Sequence, residues 1–257
     1  MTLRAIRVLK EVALIACEDT RRTARLLQAH GISTATTSYF EHNEKWKGEK
    51  ILAAVRDGRS VALVSDAGTP GISDPGYRLV RDARAEGLRV IPVPGASAVV
   101  AALSVSGLPS DRFVFVGFLP SRAGARVRAL GELAALRETL VFYESPLRVV
   151  AALTDMRDAL GDRDVFLCRE ATKVHEEYVR GTVTSVLALL AARDEVKGEV
   201  VLVVSGAGEP APASAGDVSE TYAALVAAGR TRREAVKETA RRHGLPARQV
   251  YAQVLKD

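Results

Sequence analysis

A glycine-rich loop at residues 65–76, SDAGTPGISDPG, is the segment of this chain best suited to bind a ligand. It follows an apolar run typical of a strand and precedes a stretch with helical spacing. Its three glycines and two prolines give a rigid loop whose backbone can approach a ligand closely. Because a strand-to-helix turn needs only about two to six residues, this long loop predicts a ligand site at the carboxyl end of a strand.

Two further loops also leave a strand and open a helix. In residues 93–98, VPGASA, the backbone N–H groups around Ser97 could hold an anionic or polar group, although Ser97 could equally be an ordinary helix cap. In residues 142–146, FYESP, the proline is a normal first helical residue. The Tyr-Glu pair before that proline is harder to explain by folding alone.

Two charged segments lie at other predicted strand ends, and a third, polar segment follows residues 37–40, TSYF. Residues 169–178, REATKVHEEY, could be functional or a solvated charged surface. Residues 18–23, EDTRRT, form a similar junction, of which helix capping by Asp19 or Thr20 explains only part. Residues 41–44, EHNE, add a polar cluster. Together these segments supply acids, bases and cations at the ends of predicted strands.

Several enzyme classes are disfavoured by what the sequence does not contain. It has no GxGxxG, Walker, GxSxG or HExxH pattern, and its four histidines lack the spacing of metal ligands. Hydride transfer, nucleotide hydrolysis and zinc proteolysis are therefore poor interpretations. Cys17 and Cys168 cannot form a disulfide framework, and we expect both to be buried, inert thiols.

Strand-like and helix-like segments alternate along the chain, which predicts an α/β fold. Near-continuous apolar runs predict strands covered on both faces. The strands are expected at residues 13–17, 60–65, 89–93, 113–118, 140–143, 165–168 and 200–204. Helical spacing is found at residues 20–30, 44–56, 77–86, 97–106, 146–160 and 183–193, and an amphipathic helix is expected at the amino terminus.

Composition and charge place the chain among globular proteins that do not cross a membrane. Its 257 residues are 47% hydrophobic and 26% charged, and mean hydropathy is +0.05. No apolar run approaches the roughly 18 residues of a membrane helix, and no signal peptide is evident, so we expect a cytoplasmic protein. The net charge is +5 and the pI about 9.4, which suggests a polyanionic partner.

The excess positive charge is confined to the last part of the chain. Residues 230–248 contain seven basic and two acidic residues, so they carry the whole net charge. We divide the chain into α/β domains at 1–110 and 111–209 and a linker with helical tail at 210–257, with helices at 219–228, 232–243 and 247–255. This tail resembles a small helix-turn-helix, which favours nucleic-acid binding over a dimerisation element or a solubilising cap.

Seven segments in order point to a family: ACEDTRRT, SYFEHNE, VSDAGTPGISDPG, VPGASA, FYESPLR, CREATKVHEEYVRG and GEVVLVVSG. Together they resemble the bacterial 16S rRNA (cytidine-2′-O)-methyltransferases of the tetrapyrrole-methylase superfamily, the class III S-adenosylmethionine-dependent methyltransferases. Each segment alone is weak, whereas the ordered set is specific. The resemblance runs from about Thr2 to the carboxyl terminus.

This resemblance implies a homodimer of two-domain α/β subunits with S-adenosylmethionine in the cleft between the domains. It also implies that the substrate is a cytidine ribose in the decoding centre of the small ribosomal subunit, and no metal is required. The implied cofactor residues are Asp66, Gly68, Thr69, Ser97, Ala98, Phe142 and Tyr143.

A ribose hydroxyl is a weak nucleophile, so a base should assist the transfer. We expect Glu170 to be that base, with Glu144 as the second candidate. The residues expected to contact RNA phosphates are Arg21, Arg169, Lys173, Arg232, Arg233, Arg241 and Arg242.

One departure from the family pattern concerns the amino terminus. The family normally has a strand and a loop of the form TPIGNLxD before the helix that starts here at Thr2. Since that loop helps to wall the cofactor site, either the sequence starts too far downstream or this chain binds the cofactor poorly, and we expect an unpaired hydrophobic sheet edge. Two alternatives stay open: a methyltransferase acting on a tetrapyrrole or a protein side chain, and a non-catalytic RNA-binding or assembly protein.

Overall fold

The computed structural model describes residues 1–208 and 215–254, with the side chains of 215–217 left aside. The chain divides into two compact units, Met1–Ala207 and Gly208–Asp257. The first unit contains two β-sheets with their helices, and the second is helical. Among the described residues, no helix is both long and apolar enough to traverse a bilayer.

The first sheet is small and parallel. Strand β1 (Leu14–Cys17) lies between β2 (Thr36–Ser38) and β3 (Val61–Val64), with Ile15 beside Thr36 and Ala62. The side chains of Ile15, Ala16 and Cys17 are fully buried, as expected for a central strand covered on both faces. The helices of this half are α1 (Leu3–Glu11), α2 (Thr20–Ala29), α3 (Glu44–Arg56), α4 (Tyr77–Ala85) and α5 (Ala98–Val105).

The second sheet is larger and mixed. Its five strands are β4 (Phe113–Phe118), β5 (Thr139–Glu144), β6 (Asp164–Arg169), β7 (Glu177–Thr182) and β8 (Val200–Val204), in the order β4-β5-β8-β6-β7. Strand β4 runs parallel to β5, whereas β8 is antiparallel to both β5 and β6. The start of β8 therefore lies beside the end of β5. Its helices are α6 (Ala123–Leu133), α7 (Val149–Leu160) and α8 (Val183–Ala191).

The second sheet is covered on both faces, as its apolar runs predict. Phe142 and Leu202 face a core that includes residues of α6, α7 and α8. Val141 and Val203 face the opposite side, where they pack against Val99 and other residues of α5. Because α5 follows the first sheet in sequence but packs on the second, it joins the two halves of this unit.

The predicted strand at residues 89–93 is wrong, because this segment forms no strand. Within the described residues, 89–96 take part in no backbone–backbone hydrogen bond, and β3 is an edge strand. Val90 nevertheless packs into the same core as Leu63. The apolar pattern of residues 89–93 reflects this burial and not strand pairing.

Three elements were not expected from the sequence. Strand β2 is only three residues long, which is too short for a periodic signal. Strand β7 alternates exposed and half-buried side chains at the sheet edge, so its composition is that of a charged surface segment. Helix α6 begins in a region of mixed small and charged residues. The remaining predicted strands and helices of this unit are confirmed within a few residues.

The second unit consists of α9 (Ala215–Ala227), α10 (Arg232–His243) and α11 (Ala247–Val254). The three predicted tail helices are thus confirmed, apart from Leu255, which lies outside the described residues along with most of the predicted linker. Helix α10 begins with a capping box of Thr231 and Glu234 and ends at Gly244, whose φ is +63°. The small core of this unit comprises Val218, Val236, Ala240 and Val250.

Candidate active site

A cavity of about 360 Å³ opens at the ends of strands from both sheets of the first unit. This volume is within the range of small-molecule sites, and the place is where α/β sheets bind ligands. Its walls come from the loop after β3, the first residue of α5, the ends of β4 and β5, and the start of β8. The lining residues are Ala67, Gly68, Ile72, Ser73, Asp74, Ala98, Phe118, Tyr143, Glu144, Ser145, Pro146, Glu199, Val200 and Val201.

The loop after β3 is fixed by hydrogen bonds and by close packing against β3. The Gly76 N–H donates to a carboxylate oxygen of Glu44 at 2.9 Å, and the Gly71 N–H donates to the Pro75 carbonyl at 3.1 Å. Gly76 has a φ of +138°, and a Cβ there would lie 2.8 Å from a methyl group of Leu63. Because position 76 has no room for a side chain, the loop packs closely against β3 there.

The same loop also contacts the second sheet. Ser73 has a φ of +57°, an unusual conformation for a residue with a side chain. Its hydroxyl lies 3.0 Å from where a Cβ would stand at Gly117 of β4. In the described part of the chain, the other non-glycine residues with positive φ are Glu170 and Thr172. Ser73 belongs to the loop predicted to bind a ligand, and Glu170 and Thr172 belong to segment 169–178, for which the sequence leaves a functional role and a solvated surface both open.

Asp74 stands among other carboxylates. Burial, together with the negative charges of Glu18, Asp66 and Glu199 and against a hydrogen bond with Ser65, raises the pKa of Asp74 to about 6. Asp66 accepts the Asp19 N–H at 3.2 Å and pairs with Arg22 at 3.4 Å. The ends of β1 and β3 are thereby joined beside the cavity, and the carboxylates give it a negative character.

Glu144 is a buried carboxylate with its own counter-ion. Its side chain is 1% exposed and pairs with the Arg148 guanidinium at 2.6 Å. It also accepts the Ser145 N–H at 2.7 Å. Glu144 lines the cavity, but its carboxylate is held by these two donors. Its geometry suits a fixed charge that orders the end of β5.

Glu170, the first candidate base from the sequence, lies just outside the cavity lining. One of its carboxylate oxygens accepts the Glu199 N–H at 2.8 Å and the Lys173 ammonium at 2.9 Å. These donors lower the pKa of Glu170, the backbone hydrogen bond contributing most. Lys173 also reaches Glu199 at 3.1 Å, so its ammonium lies between two carboxylates.

The structure brings together some of the residues expected to bind the cofactor. Gly68, Ala98 and Tyr143 line the cavity, where Tyr143 packs edge-on against Phe115 and tilted against Phe118. Four others do not line it: Asp66 closes the end of β3, and Thr69, Ser97 and Phe142 lie nearby in sequence. Phe142 is fully buried in the core, on the opposite face of β5 from Tyr143.

The arginines expected to contact RNA differ in how exposed they are and in whether they already form ion pairs. Arg21 is 89% exposed and pairs with Asp19 at 2.9 Å. Arg169 is 17% exposed, because its guanidinium donates to Glu177 and to the Lys197 carbonyl. In the helical unit, Arg241 and Arg242 both pair with Glu238. Arg232 and Arg233 are exposed on α10.

Most of the lining residues were not candidates from the sequence, and those with charged or aromatic side chains are Asp74, Phe118 and Glu199. Asp74 and Glu199 lie within segments noted from the sequence, but nothing in those segments ranks one acid above another. Glu199 joins the site only because β8 runs antiparallel to β5, and this sheet order is not encoded locally. A neighbouring glycine at a strand end was a signal for Phe118 and Glu199, which follow Gly117 and Gly198, but not for Asp74, which lies between Ser73 and Pro75.

A second cavity, of about 380 Å³, lies between α3 and α4. Its walls are mostly charged helical side chains, including Glu44, Glu49, Arg78, Arg81 and Asp82. Arg78 and Glu44 lie 3.8 Å apart there. A groove of mutually neutralising side chains between two helices lacks the converging loops of the first cavity, which is therefore the better candidate site.

Two α/β sheets with a glycine-rich loop and a cavity at the strand ends are the arrangement with which α/β proteins bind small ligands. The chain matches the Tetrapyrrole (Corrin/Porphyrin) Methylases over residues 1–187 and belongs to that family. It is therefore an S-adenosylmethionine-dependent methyltransferase.

Close relatives share a single name, "Ribosomal RNA small subunit methyltransferase I". The chain is 46% identical to that of Halalkalibacterium halodurans, over 98% of this chain and 88% of the relative. It is 40% identical to that of Bacillus subtilis, over 98% of this chain and 88% of the relative. These similarities include the helical unit, since almost the whole chain is covered.

Solved structures share the fold at low sequence identity. A cobalt precorrin-4 methyltransferase has a TM-score of 0.59 at 18% identity, over 79% of this chain and 88% of its own. A uroporphyrin-III C-methyltransferase from Thermus thermophilus, complexed with S-adenosylhomocysteine, has a TM-score of 0.56 at 20% identity, over 80% and 90%. The two-sheet α/β architecture is therefore that of the tetrapyrrole methylases.

The residues of the cavity suit S-adenosylmethionine. The cofactor carries a sulfonium and an ammonium. Of the three carboxylates that line the cavity, Glu144 and Glu199 pair with Arg148 and Lys173, whereas Asp74 forms no ion pair within the described residues. Phe118 and Tyr143 add aromatic faces, which attract cations. The open backbone at Gly68 allows a ligand to approach closely, because no side chain projects there.

Proposed function

We propose that this protein transfers a methyl group from S-adenosylmethionine to the ribose 2′-oxygen of a cytidine in the decoding centre of 16S rRNA. The observation that carries the proposal is the identity of 40% or more with rRNA small subunit methyltransferases over nearly the whole chain. The family's cofactor supplies the reactive methyl group. The protein must therefore align the two reactants and keep water out.

The cavity is suited to this alignment. Gly68, Ala98 and Tyr143 would hold the cofactor, with Asp66, Thr69, Ser97 and Phe142 supporting the same loops. The cavity opens beside the segment that contains Glu170 and Lys173, where an RNA backbone would approach. In this proposal Lys173 and Arg21 attract phosphates, and the ribose hydroxyl enters between the carboxylates.

The helical unit supplies a second contact with RNA in this proposal. Its exposed Arg232 and Arg233 lie at the start of α10, and Arg241 and Arg242 at its end. Arginines in such an arrangement bind phosphates without reading sequence. The proposal also includes the small ribosomal subunit as substrate, a homodimer in solution and a cytoplasmic location.

The test is transfer of a tritiated methyl group to small ribosomal subunits that lack the modification. The proposal predicts labelled 16S rRNA that yields 2′-O-methylcytidine after digestion. A label on a base, or on a ribosomal protein, would contradict it. A label on a tetrapyrrole but not on the subunits would assign the tetrapyrrole chemistry of the family instead. Binding of subunits without any transfer would favour a non-catalytic assembly protein.

A further inference from the structure

Helix α3 exposes the only tryptophan of the chain, on the side of the helix away from the core. Trp46 is 53% exposed, whereas Ile51 and Leu52 of the same helix are buried in the core of the first sheet. They lie five and six residues beyond Trp46, so at 3.6 residues per turn they lie across the helix axis from it. The packing of α3 on the sheet therefore does not require an indole at this position.

Two lysine ammonium groups lie close to this indole. Those of Lys47 and Lys50 are 5.0 Å and 4.9 Å from the centroid of the Trp46 ring. Lys47 also donates to the Thr37 hydroxyl at 2.7 Å, so its ammonium is placed from two sides. Cation–π contacts at an exposed site are weak, and a ligand that stacks on the ring can replace them. We call the side chains of Trp46, Lys47 and Lys50 the Trp46 surface.

The positive charge of this helix is not neutralised by its own acids. Three lysines of α3 form no ion pair in the part of the chain that the structure describes: Lys45, Lys47 and Lys50. The acids of the same helix have other partners, since Glu49 pairs with Arg56 at 2.9 Å and Glu44 with Arg78 at 3.8 Å. Unpaired ammonium groups beside an exposed aromatic ring are complementary to a polyanion that carries flat rings.

Resting on the proposed function, we propose that the Trp46 surface binds an unpaired nucleotide of the rRNA substrate. Its base stacks on the indole, and Lys47 and Lys50 bind the adjacent phosphates. Aromatic rings with backbone-binding cations are how proteins hold single-stranded RNA, because every base has a π face. Stacking of a base is stronger than an exposed cation–π contact, so the base displaces the ammonium groups towards the phosphates. A base inside a duplex is already stacked, so this surface selects unpaired RNA.

The Trp46 surface is linked to the candidate cofactor cavity through the start of α3. Glu44, the first residue of α3, accepts the Gly76 N–H at the end of the glycine-rich loop at 2.9 Å. That loop walls the cavity with Gly68 and Ser73, among others. The helix that carries Trp46 thus also fixes the loop beside the reaction. RNA bound at Trp46 is therefore docked on the same rigid part of the protein, at a point separate from the reacting ribose.

A protein partner is the alternative occupant of an exposed tryptophan, since tryptophan is enriched at binding hot spots. Protein interfaces surround such a residue with apolar neighbours that exclude water, and they are depleted in lysine. The side chains that contact the ring of Trp46 from Lys47 and Lys50 are both lysines. The chemistry of these neighbours therefore favours RNA over a protein.

Because the chain has one tryptophan, its tryptophan fluorescence reports on position 46 alone. Titration with protein-free 16S rRNA should quench this emission, and single-stranded oligocytidylate should do the same, whereas a fully paired RNA duplex should not. Phe113→Ala, at an exposed aromatic side chain at the start of β4, is the control and should keep the quenching. An emission that stays unchanged when filter binding shows the protein to be saturated with 16S rRNA would overturn the inference.

Affinity gives a second measurement. Trp46→Ala should weaken binding of protein-free 16S rRNA by about five- to a hundredfold, as expected for the loss of one stacked base, and Trp46→Tyr should restore most of it. In methyl transfer, Trp46→Ala should raise KM for small ribosomal subunits and leave kcat nearly unchanged. Lys47→Gln with Lys50→Gln should reduce the salt slope by roughly one unit per lost phosphate contact. Arg89→Gln with Arg128→Gln removes the same charge from exposed sites elsewhere and is the control.

Wild-type RNA affinity in Trp46→Ala would overturn the inference. Weaker binding of intact small subunits by this variant, with unchanged binding of protein-free 16S rRNA, would also overturn it, because that result assigns the surface to a ribosomal protein. Methyl transfer by the wild type is measured in parallel. Quenching by 16S rRNA without any transfer would contradict the proposed function and support the Trp46 surface, whereas transfer without quenching would contradict this inference alone.

Discussion

Gly198 and Glu170 are so closely apposed that no side chain fits at position 198. A Cβ at Gly198 would lie 2.6 Å from a carboxylate oxygen of Glu170, and Gly198 has a φ of +89°. The Glu170 carboxylate is at the same time fixed by Lys173 and by the Glu199 N–H. The backbone before β8 thus sets where this carboxylate and its lysine stand beside the cavity.

We predict that Gly198→Ala displaces Glu170 and slows methyl transfer by roughly tenfold or more, because small misplacements in an active site are costly. The positive φ should also lower the free energy of unfolding by about 1 kcal/mol. Gly124→Ala is the matched control, since nothing lies within 4 Å of a Cβ there. Equal activity of the two variants would show that the position of Glu170 is unimportant.

The raised pKa of Asp74 should make the free energy of unfolding depend on pH. Its pKa is raised from 3.8 to about 6 in the folded protein, so folding favours its protonated form. This contribution is fully present below the unfolded value and is lost as the pH rises through about 6. Asp74→Asn should therefore be more stable than the wild type at neutral pH, and the gain should shrink towards the unfolded pKa. Urea unfolding at several pH values measures this, and a variant less stable at neutral pH would contradict it.

Arg169 was expected to contact RNA, but its geometry predicts a role in holding the sheet edge. Glu177 of β7 pairs with Arg169 at 2.7 Å and with Arg193 at 2.5 Å. These arginines lower the pKa of Glu177 to about 2, Arg193 contributing most. The stabilisation is present above the unfolded pKa and is lost as the pH falls through about 2.

We predict that Glu177→Gln lowers the free energy of unfolding by about 1–3 kcal/mol at neutral pH, since it removes hydrogen bonds to charged groups. The loss should diminish in strong acid. Glu195→Gln, which breaks an exposed pair with Lys197, should cost less than about 1 kcal/mol. Denaturant titration distinguishes them, and similar small losses in both variants would argue against a structural role for this cluster.

The exposed arginines of α10 should act on RNA affinity. Arg232→Gln with Arg233→Gln should weaken binding to 16S rRNA and reduce the salt slope by roughly one unit per lost phosphate contact. The control is Arg89→Gln with Arg128→Gln, which removes the same charge from exposed sites in the first unit. Filter binding across salt concentrations is the measurement. Identical slopes for both double variants would remove α10 from recognition.

Much of the fold was predictable because apolar runs and loop chemistry are local properties. The runs that became β5 and β8 predict buried strands, and their alternate residues do pack on opposite faces. Residues 89–93 have the same composition but lack a strand neighbour, so burial without pairing gave a misleading pattern. Strand β7 is the opposite case, since it is paired but mostly exposed.

The sequence was enough to predict which loops form the site, but not which of their acidic side chains have counter-ions. The loops containing Gly68, Ala98 and Tyr143 do converge on one cavity. Which acid stands free of a counter-ion depends on contacts between distant segments, such as Lys173 with Glu199. Such contacts follow from sheet order, which the sequence does not express locally. The ion pair of Glu170 with Lys173, which Asp74 lacks among the described residues, therefore became visible only in the structure.

The proposed function requires the cavity at the strand ends to be the cofactor site. Calorimetric titration with S-adenosylhomocysteine tests this, using Ala98→Trp to fill the cavity and Ala101→Trp, on the exposed side of α5, as control. We predict binding of one equivalent per chain in the wild type and in Ala101→Trp, and its loss in Ala98→Trp. Unchanged affinity in Ala98→Trp, with both variants folded, would show that the cofactor does not bind in this cavity.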